Sequence, residues 1–338
     1  QGKDMDSIMQ SLESGVEELF TSNRYQEFLK TMAKFHNYSF NNTMLIAMQR
    51  PDATLVTSYK NWQSMGRQVM KGEKGITIIA PAPYKKMKEK EVLDENQRPI
   101  MGTDGKPKTE KVEVTVPHFK AVTVFDIAQT SGEPIQTLAP ELLTAAVQDF
   151  DSFMQAIQKI SPVPIRFDEI DGNANGYYHN ADKEIVIKKG LSESQTLKTA
   201  IHETAHAKLH DSEIMESLGV EKDRLTKEVE AESVAYCVCS SFGLDTSDYS
   251  FPYIAGWSSS REMKEMKASM DVIRKTAGEM IDQLTEELEI ILEEKQKTEL
   301  HEKYGILVDA LEAAGYRYDY RESEPGHIVL APDGTHEI

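Results

Sequence analysis

The sequence predicts an α+β protein of two domains with a small appended α/β tail. Three observations carry this reading. Segments with helical apolar spacing alternate with short β-branched runs throughout the 338-residue chain, the pattern of mixed rather than all-α or all-β cores. SGEPIQTLAPE at 131–141, with two prolines and a glycine, reads as a linker between the halves. Charge also divides there: residues 1–135 hold 18 Lys+Arg against 17 Asp+Glu, although the whole chain carries −18. The expected units are 1–135, 136–299 and a helix–hairpin module at 300–338.

In the first unit, residues 5–20 and 24–50 have helical spacing, with Phe20, Leu29, Met32, Phe35, Leu45, Ile46 and Met48 as apolar candidates. The segment from Asp52 reads as a strand, a short helix at 59–66, a glycine-bearing turn and a strand through Ile76, Ile78 and Ile79. Residues 85–118 are rich in Lys and Glu and contain a TDGK turn, the signature of an exposed hairpin or flexible insertion. HFKAVTVFDIAQT at 118–130 returns to β-branched alternation and closes the unit.

The second unit opens with a helix over about 140–160 and a strand in VPIRFDEI. NGYYHNADKEIVIKKG reads as a hairpin, its turn at His179–Lys183 and its second strand at Glu184–Lys188. A helix follows, with Ser192 and Gln195 spaced as a capping box and Leu197, Ile201, Ala205 and Leu209 on one stripe. Further helices are expected over 224–242 and from Ser258 to about Lys297, where the polar face is acidic and suits packing rather than a membrane surface. The tail reads helix, strand, turn, strand.

Composition narrows the setting. No apolar run approaches the roughly 20 residues that span a bilayer, and no charged-then-apolar leader is seen. Cys237 and Cys239, in YCVCSS, project to nearly opposite sides of a helix, which disfavours a disulfide or joint metal ligation. A reduced, cytoplasmic setting without membrane contact is expected. Within 20–90 there are 12 basic residues against 4 acidic, a locally basic surface of the kind a nucleic-acid contact needs.

The chemistry concentrates in AIHETAHAKLH at 200–210. His202 and His206 lie one helical turn apart and can bring two ring nitrogens to about 2.0–2.1 Å from one Zn2+. Glu203, beside the first, can reach a water without occupying a coordination position, completing H-E-x-x-H. The pattern arises by chance often enough that its surroundings must decide. A catalytic zinc wants a third protein ligand and an open fourth position. EVEAE at 228–232 supplies Glu228 as that ligand and, one turn on, Glu232 to fix a histidine tautomer; Glu230 faces elsewhere. The spacing resembles the E-x-x-x-D helix of gluzincin metallopeptidases, in which a strand like Glu184–Lys188 pairs with an extended peptide. Two residues are candidates for a further donor to an oxyanion: His210, equally suited to simple support, and Tyr253, equally suited to a core.

Taken in order, YSFNNTMLIAMQRPDATLVTSYKNWQSMGRQVMKGEKGITIIAP (38–81), TVFDIAQTSGEP (123–134), YYHNADKEIVI, HETAHAKLH, EVEAESVAY and YIAGW resemble ArdC-type antirestriction proteins and the related LtrC-like proteins of mobile elements. The resemblance implies an N-terminal single-stranded-DNA-binding domain and a C-terminal zincin-like (gluzincin) metallopeptidase domain acting in conjugative transfer. It also implies His202, His206 and Glu228 as the metal set and Glu203 as the acid/base. Thr204 departs from the bulky apolar residue usual after H-E, and 85–118 and 300–338 lie outside the match.

For a single strand, cations must track phosphates and planar side chains must stack on bases. The expected set is Tyr38, Tyr59, Lys60, Trp62, Arg67, Lys71 and Lys74, with Gly66, Gly72 and Gly75 admitting a phosphate; the alternative is a turn with solvated lysines and a buried Trp62. Partners are thus single-stranded DNA and a peptide or protein. Two other readings stay open: a regulatory zinc protease similar to ImmA/IrrE, and a catalytically silent zincin-fold binding protein.

Overall fold

The computed structural model describes residues 5–21, 24–102, 105–135, 149–247, 249, 251–304, 313–315, 317–320 and 327–330. It is α+β and divides into two compact units, Gln1–Ile135 and Gln136–Ile338.

In the first unit, α1 (Met5–Thr21), α2 (Tyr25–Lys34) and α3 (Phe40–Gln49) bury Leu12, Val16, Phe20, Leu29, Met32 and Ile46. The helical spacing over 24–50 resolves into two helices, α3 beginning where Ser39, extended, caps it by accepting from the Asn42 N–H. Met48, an expected core residue, is 45% exposed. β1 (Val56–Ser58) leads into α4 (Tyr59–Ser64) and β2 (Arg67–Val69); then come β3 (Ile76–Pro81), β4 (Tyr84–Glu91), β5 (Thr109–Val116), β6 (Phe119–Asp126) and β7 (Thr130–Gly132). β1, β6 and β3 form an antiparallel sheet in that order, and β2 pairs with β7.

Two devices hold this sheet. Asn42 and Gln49 on α3 each grip the free edge of β3 with both atoms of the amide. Asn42 donates to the Ile79 carbonyl and accepts from its N–H; Gln49 does the same with Thr77. The helix thus satisfies an edge that would otherwise recruit another strand. At the end of β6, buried Asp126 accepts from the N–H groups of Thr54, Leu55 and Ala128, and Gln129 bridges to the Lys74 carbonyl. Hydrogen bonds to a buried charge contribute about 1.5–3 kcal/mol each, so FDIAQT is a structural lock.

β3–β6 and β4–β5 share one register. Ile76 faces Val124, Pro81 faces Phe119, Tyr84 faces Val116 and Glu91 faces Thr109, so every pair sums to 200. The Ala82 N–H, donating to the His118 carbonyl, joins the two ladders without a bulge. β4 and β5 are therefore an exposed ribbon that prolongs the core sheet.

In the second unit, α5 (Phe150–Ile160) precedes β8 (Ile165–Asp168), β9 (Gly176–His179) and β10 (Glu184–Lys188). Positions 140–148 of the expected helix, and most of the expected linker, lie outside the described residues. β10 is the centre of its sheet, parallel to β8 and antiparallel to β9, and its Ile185, Val186 and Ile187 are fully buried. α6 (Glu193–Leu209) and α8 (Arg224–Ser241) pack on each other, and α8 packs on the long α10 (Met263–Tyr304). Ser192 accepts from the Gln195 N–H, but the Gln195 side chain turns forward to Thr199, so only half of the expected capping box forms. The expected helix from Ser258 is divided: α9 (Ile254–Ser259) ends and α10 begins at Met263. α7 (Ser212–Leu218) was not expected; Asp211 caps its start, and Gly219, at φ +62°, ends it. In the tail, β11 (Arg317–Tyr320) pairs with β12 (His327–Leu330); the segment between α10 and residue 313 lies outside the described residues.

Among the described residues no helix is long and apolar enough to cross a membrane.

Candidate metal centre

α6 places His202, Glu203 and His206 where α8 crosses it. Nε2 of His202 lies 3.1 Å from Nε2 of His206, and Oε2 of Glu228 lies 3.7 Å from each. Two ligands held about 2.05 Å from one tetrahedral ion would sit about 3.3 Å apart. The three donors therefore surround a point at bonding distance, and their ligand atoms lie within 4.8 Å of one another. Two ring nitrogens facing at 3.1 Å repel if both present lone pairs, and a cation between them removes that repulsion. The residues fit a divalent metal ion.

The outward nitrogens of both rings meet acids, one directly and one through a second imidazole. Nδ1 of His202 is 3.1 Å from Oε2 of Glu232, at an angle short of an aligned hydrogen bond. Nδ1 of His206 is 3.0 Å from Nδ1 of His210, whose Nε2 is 2.9 Å from Glu230. If Nε2 of His206 presents its lone pair to an ion, its proton sits on Nδ1 and is donated to His210. His210 then carries its proton on Nε2 and donates to Glu230.

Glu230 is wholly buried and also accepts from Lys222 Nζ at 2.6 Å and Ser269 Oγ at 2.8 Å. Burial raises its pKa, but His210 and Lys222 outweigh that and hold the carboxyl below its usual range. The same burial lowers the pKa of His210 and keeps the ring neutral. This corrects the expected oxyanion role of His210: both ring nitrogens are engaged behind His206. The middle acid of EVEAE turns inward, and the sequence signal for its role is the His206–His210 spacing, which leaves a third imidazole in need of a partner.

Glu203 is 8% exposed, and burial pushes its carboxyl up from the ordinary value against the pull of His202 and His206. The Tyr178 backbone N–H also favours the charged carboxylate. Tyr178 belongs to β9, an edge strand, and the sheet order corrects the expected peptide-pairing strand: β10 is paired on both sides. β9 can approach α6 because Gly176 has no side chain; a Cβ there would stand 2.6 Å from Thr199 Cγ2 and 2.9 Å from the Val186 carbonyl. Asp211, just beyond α6, accepts from Tyr178 Oη and Lys183 Nζ and ties the β9–β10 hairpin to the helix. A pocket of about 280 Å³ opens beside His202 and Glu203, lined by Asn175, Gln195, Lys198 and Tyr249.

Tyr253 is half-buried. Burial, with the neighbouring Glu232 and Glu228 carboxylates, raises its pKa and leaves the phenol a donor. The hydroxyl of Thr204 is buried without a hydrogen-bond partner. Cys237 and Cys239 are buried thiols not joined in a disulfide.

In the first unit the expected DNA set separates. Trp62 is fully buried and donates Nε1–H to the Phe125 carbonyl, so its ring cannot receive a base. Arg67 is spent on Thr130 and the carbonyls of Gly132 and Glu133. Tyr38 donates to the Val56 carbonyl and packs edge-on against Phe35. Gly75 packs against its own sheet, where a Cβ would stand 2.2 Å from Thr123 Cγ2. Tyr59, Lys60, Lys71 and Lys74 are exposed.

Residues 3–125 match the family described as the N-terminal domain of anti-restriction factor ArdC, and residues 159–240 match the IrrE N-terminal-like domain of Peptidase M78. An uncharacterised protein of Bacillus anthracis is 28% identical over 307 residues, 83% of this chain and 51% of that protein. DNA primase TraC of Escherichia coli is 28% identical over 222 residues, 63% of this chain and 14% of the primase. The chain thus spans about half the length of the first relative and less of the second. Crystal structures of the antirestriction protein ArdC from plasmid R388, metal-free and Mn(II)-bound, align with a TM-score of 0.49 at 22% and 20% identity. They cover 82% and 84% of this chain and 97% and 98% of those chains.

Proposed function

We propose, from the premise that this chain joins an ArdC-type N-terminal domain to an IrrE-like peptidase domain, that it is an antirestriction protein of a mobile element. In this reading the first unit binds single-stranded DNA and the second is a zinc-dependent peptidase. The observation that carries the second half is the convergence of His202, His206 and Glu228 beside a buried Glu203.

His202, His206 and Glu228 would hold Zn2+, and the ion would polarise a peptide carbonyl and acidify a water. Glu203, its pKa raised by burial, would accept a proton from a water in the pocket and return it to the leaving amine. The Tyr178 N–H favours the charged Glu203 carboxylate, and the outer edge of β9 offers backbone groups to an extended peptide. Tyr253, held as a phenol, donates to the oxygen on which negative charge develops. Glu232 and the His210–Glu230 pair fix the two histidine tautomers.

Metal analysis of the purified chain tests the site. One equivalent of zinc, lost on His202→Ala, is the expected result; no stoichiometric metal in the unaltered chain would overturn it, and manganese or cobalt would overturn the choice of zinc. Salt-dependent binding of labelled single-stranded oligonucleotides tests the first unit.

The IrrE-like match favours one alternative, a regulatory protease whose first unit recognises a protein. Metal-dependent cleavage without oligonucleotide binding would select it.

A further inference from the structure

The β4–β5 ribbon carries its charge on one side. With one register from Ile76 to Glu91 and no bulge, even-numbered residues of β3 and β4 share a face with their even-numbered partners. At the base of that face Ile76, Ile78 and Val124 are buried. Beyond the core the same face presents Lys120, then the Tyr84–His118 ring pair, edge-on at 5.9 Å, then Lys86, Lys88 and Lys90. These lysines stand opposite Val114, Val112 and Glu110. Counting Lys86, Lys88, Lys90 and Lys120 against Glu110, the face carries +3. The other face, with Lys85 and Lys111 against Glu89, Glu91 and Glu113, carries −1, and there Lys85 is spent on Glu113 at 2.6 Å.

We infer that this even-numbered face is where a single nucleic-acid strand lies, its phosphates along Lys86, Lys88 and Lys90 and one base on Tyr84. The inference rests on the reading of the first unit as a DNA-binding one and gives that reading a surface, in place of the buried Trp62. The three lysines are exposed and recur every second residue, about 6.7 Å apart, the scale of the repeat between phosphates in an extended strand. The half-buried valines opposite leave a dry floor against which lysine stems can lie while their ammonium groups reach outward. Tyr84, 49% exposed, is the planar group that an unpaired base needs and a duplex cannot use. An acidic protein segment would satisfy the lysines but leave the aromatic base of the face without a role.

The test compares the two faces of the full chain with fluorescent oligonucleotides. Replacing Lys86, Lys88 and Lys90 together by Gln should weaken single-strand binding at least about tenfold near 0.1 M salt. It should also reduce the log–log salt slope by about 2, at about 0.7 for each of three phosphates. Tyr84→Ala should weaken binding several-fold and leave the slope unchanged. Lys85→Gln with Lys111→Gln, on the other face, should change neither. The ribbon is exposed, so unchanged melting curves should accompany every variant. Equal losses from the two faces, equal affinity for duplex, or equally tight binding of polyglutamate would overturn the inference. So would an unaffected triple variant of a chain that does bind single strands. Failure of the unaltered chain to bind any oligonucleotide would instead overturn the DNA reading beneath it.

Discussion

Nε2 of His210 lies 2.9 Å from Oε2 of Glu230, with both side chains shut away from solvent. The pair stands one imidazole behind His206 and fixes which nitrogen His206 turns towards the site. His210→Ala should therefore weaken metal binding about 10–100-fold, read by competition with a chromophoric chelator. Glu230→Ala should do so as well and cost about 3–5 kcal/mol in stability, because Lys222 is left beside an unpaired cavity. Glu230→Gln, which keeps an acceptor for His210, should recover part of the affinity. Unchanged affinity in both alanine variants would remove the pair from the metal site.

Glu203 is buried beside His202 on α6, and that burial raises its carboxyl pKa. Glu203→Gln should keep the metal stoichiometry and lower cleavage of an unstructured peptide pool by at least about 10²-fold. Cleavage at the original rate would take Glu203 out of the chemistry.

Thr204 is fully buried and its hydroxyl has no partner. Val has the same shape without the orphaned group, so Thr204→Val should stabilise the chain by about 1 kcal/mol. Denaturant melts at fixed metal concentration measure this, and a loss of stability would show that the hydroxyl is satisfied in solution.

Trp62 fills the core beneath β6. Trp62→Ala should cost about 3–5 kcal/mol, and any loss of oligonucleotide binding should follow the loss of folded protein across temperature. Weakened binding by a variant as stable as the original would restore Trp62 to the DNA surface.

Lys183 and then Tyr178 hold the Asp211 carboxyl down at about 2, against an ordinary 3.8. With its pKa depressed in the folded state, Asp211 binds fewer protons there than in the unfolded chain. Its contribution to stability is complete above about pH 4 and is lost as the pH falls towards 2. Asp211→Asn should flatten that part of the acid limb in urea melts taken between about pH 5 and pH 2. An identical limb in both proteins would mean that the β9–β10 hairpin is held to α6 by other contacts.

The parts legible in the sequence are those governed by spacing within one helix. Residues four apart share a face whatever surrounds them, so His202, His206, Glu228 and Glu232 could be grouped before any fold was known. Sheet order carries no such local signal. The hairpin of β9 and β10 is legible, but the parallel pairing of β8, from an earlier segment, is not, and it makes β10 the central strand and leaves β8 and β9 as the edges. For Trp62 the lysines and glycines around it leave both a DNA-facing and a buried reading open, and the structure selects the buried one: its indole faces inward from a six-residue helix. Asn42, Gln49 and Asp126 lie in segments that carry the ArdC resemblance, yet their partners are backbone groups of their own sheet. Sequence likeness there marks the scaffold and left the DNA surface undetermined.

The unbroken register of the ribbon makes its length a two-state variable. Removing two residues from each strand between the core and the tip shortens the arm and leaves its distal residues facing as before. Removing one from each keeps every backbone pair yet turns the distal half over, carrying Lys88 and Lys90 to the side now held by Glu89 and Glu91. Arms of this construction can drift in length only by even steps if the direction of their charge is to be kept.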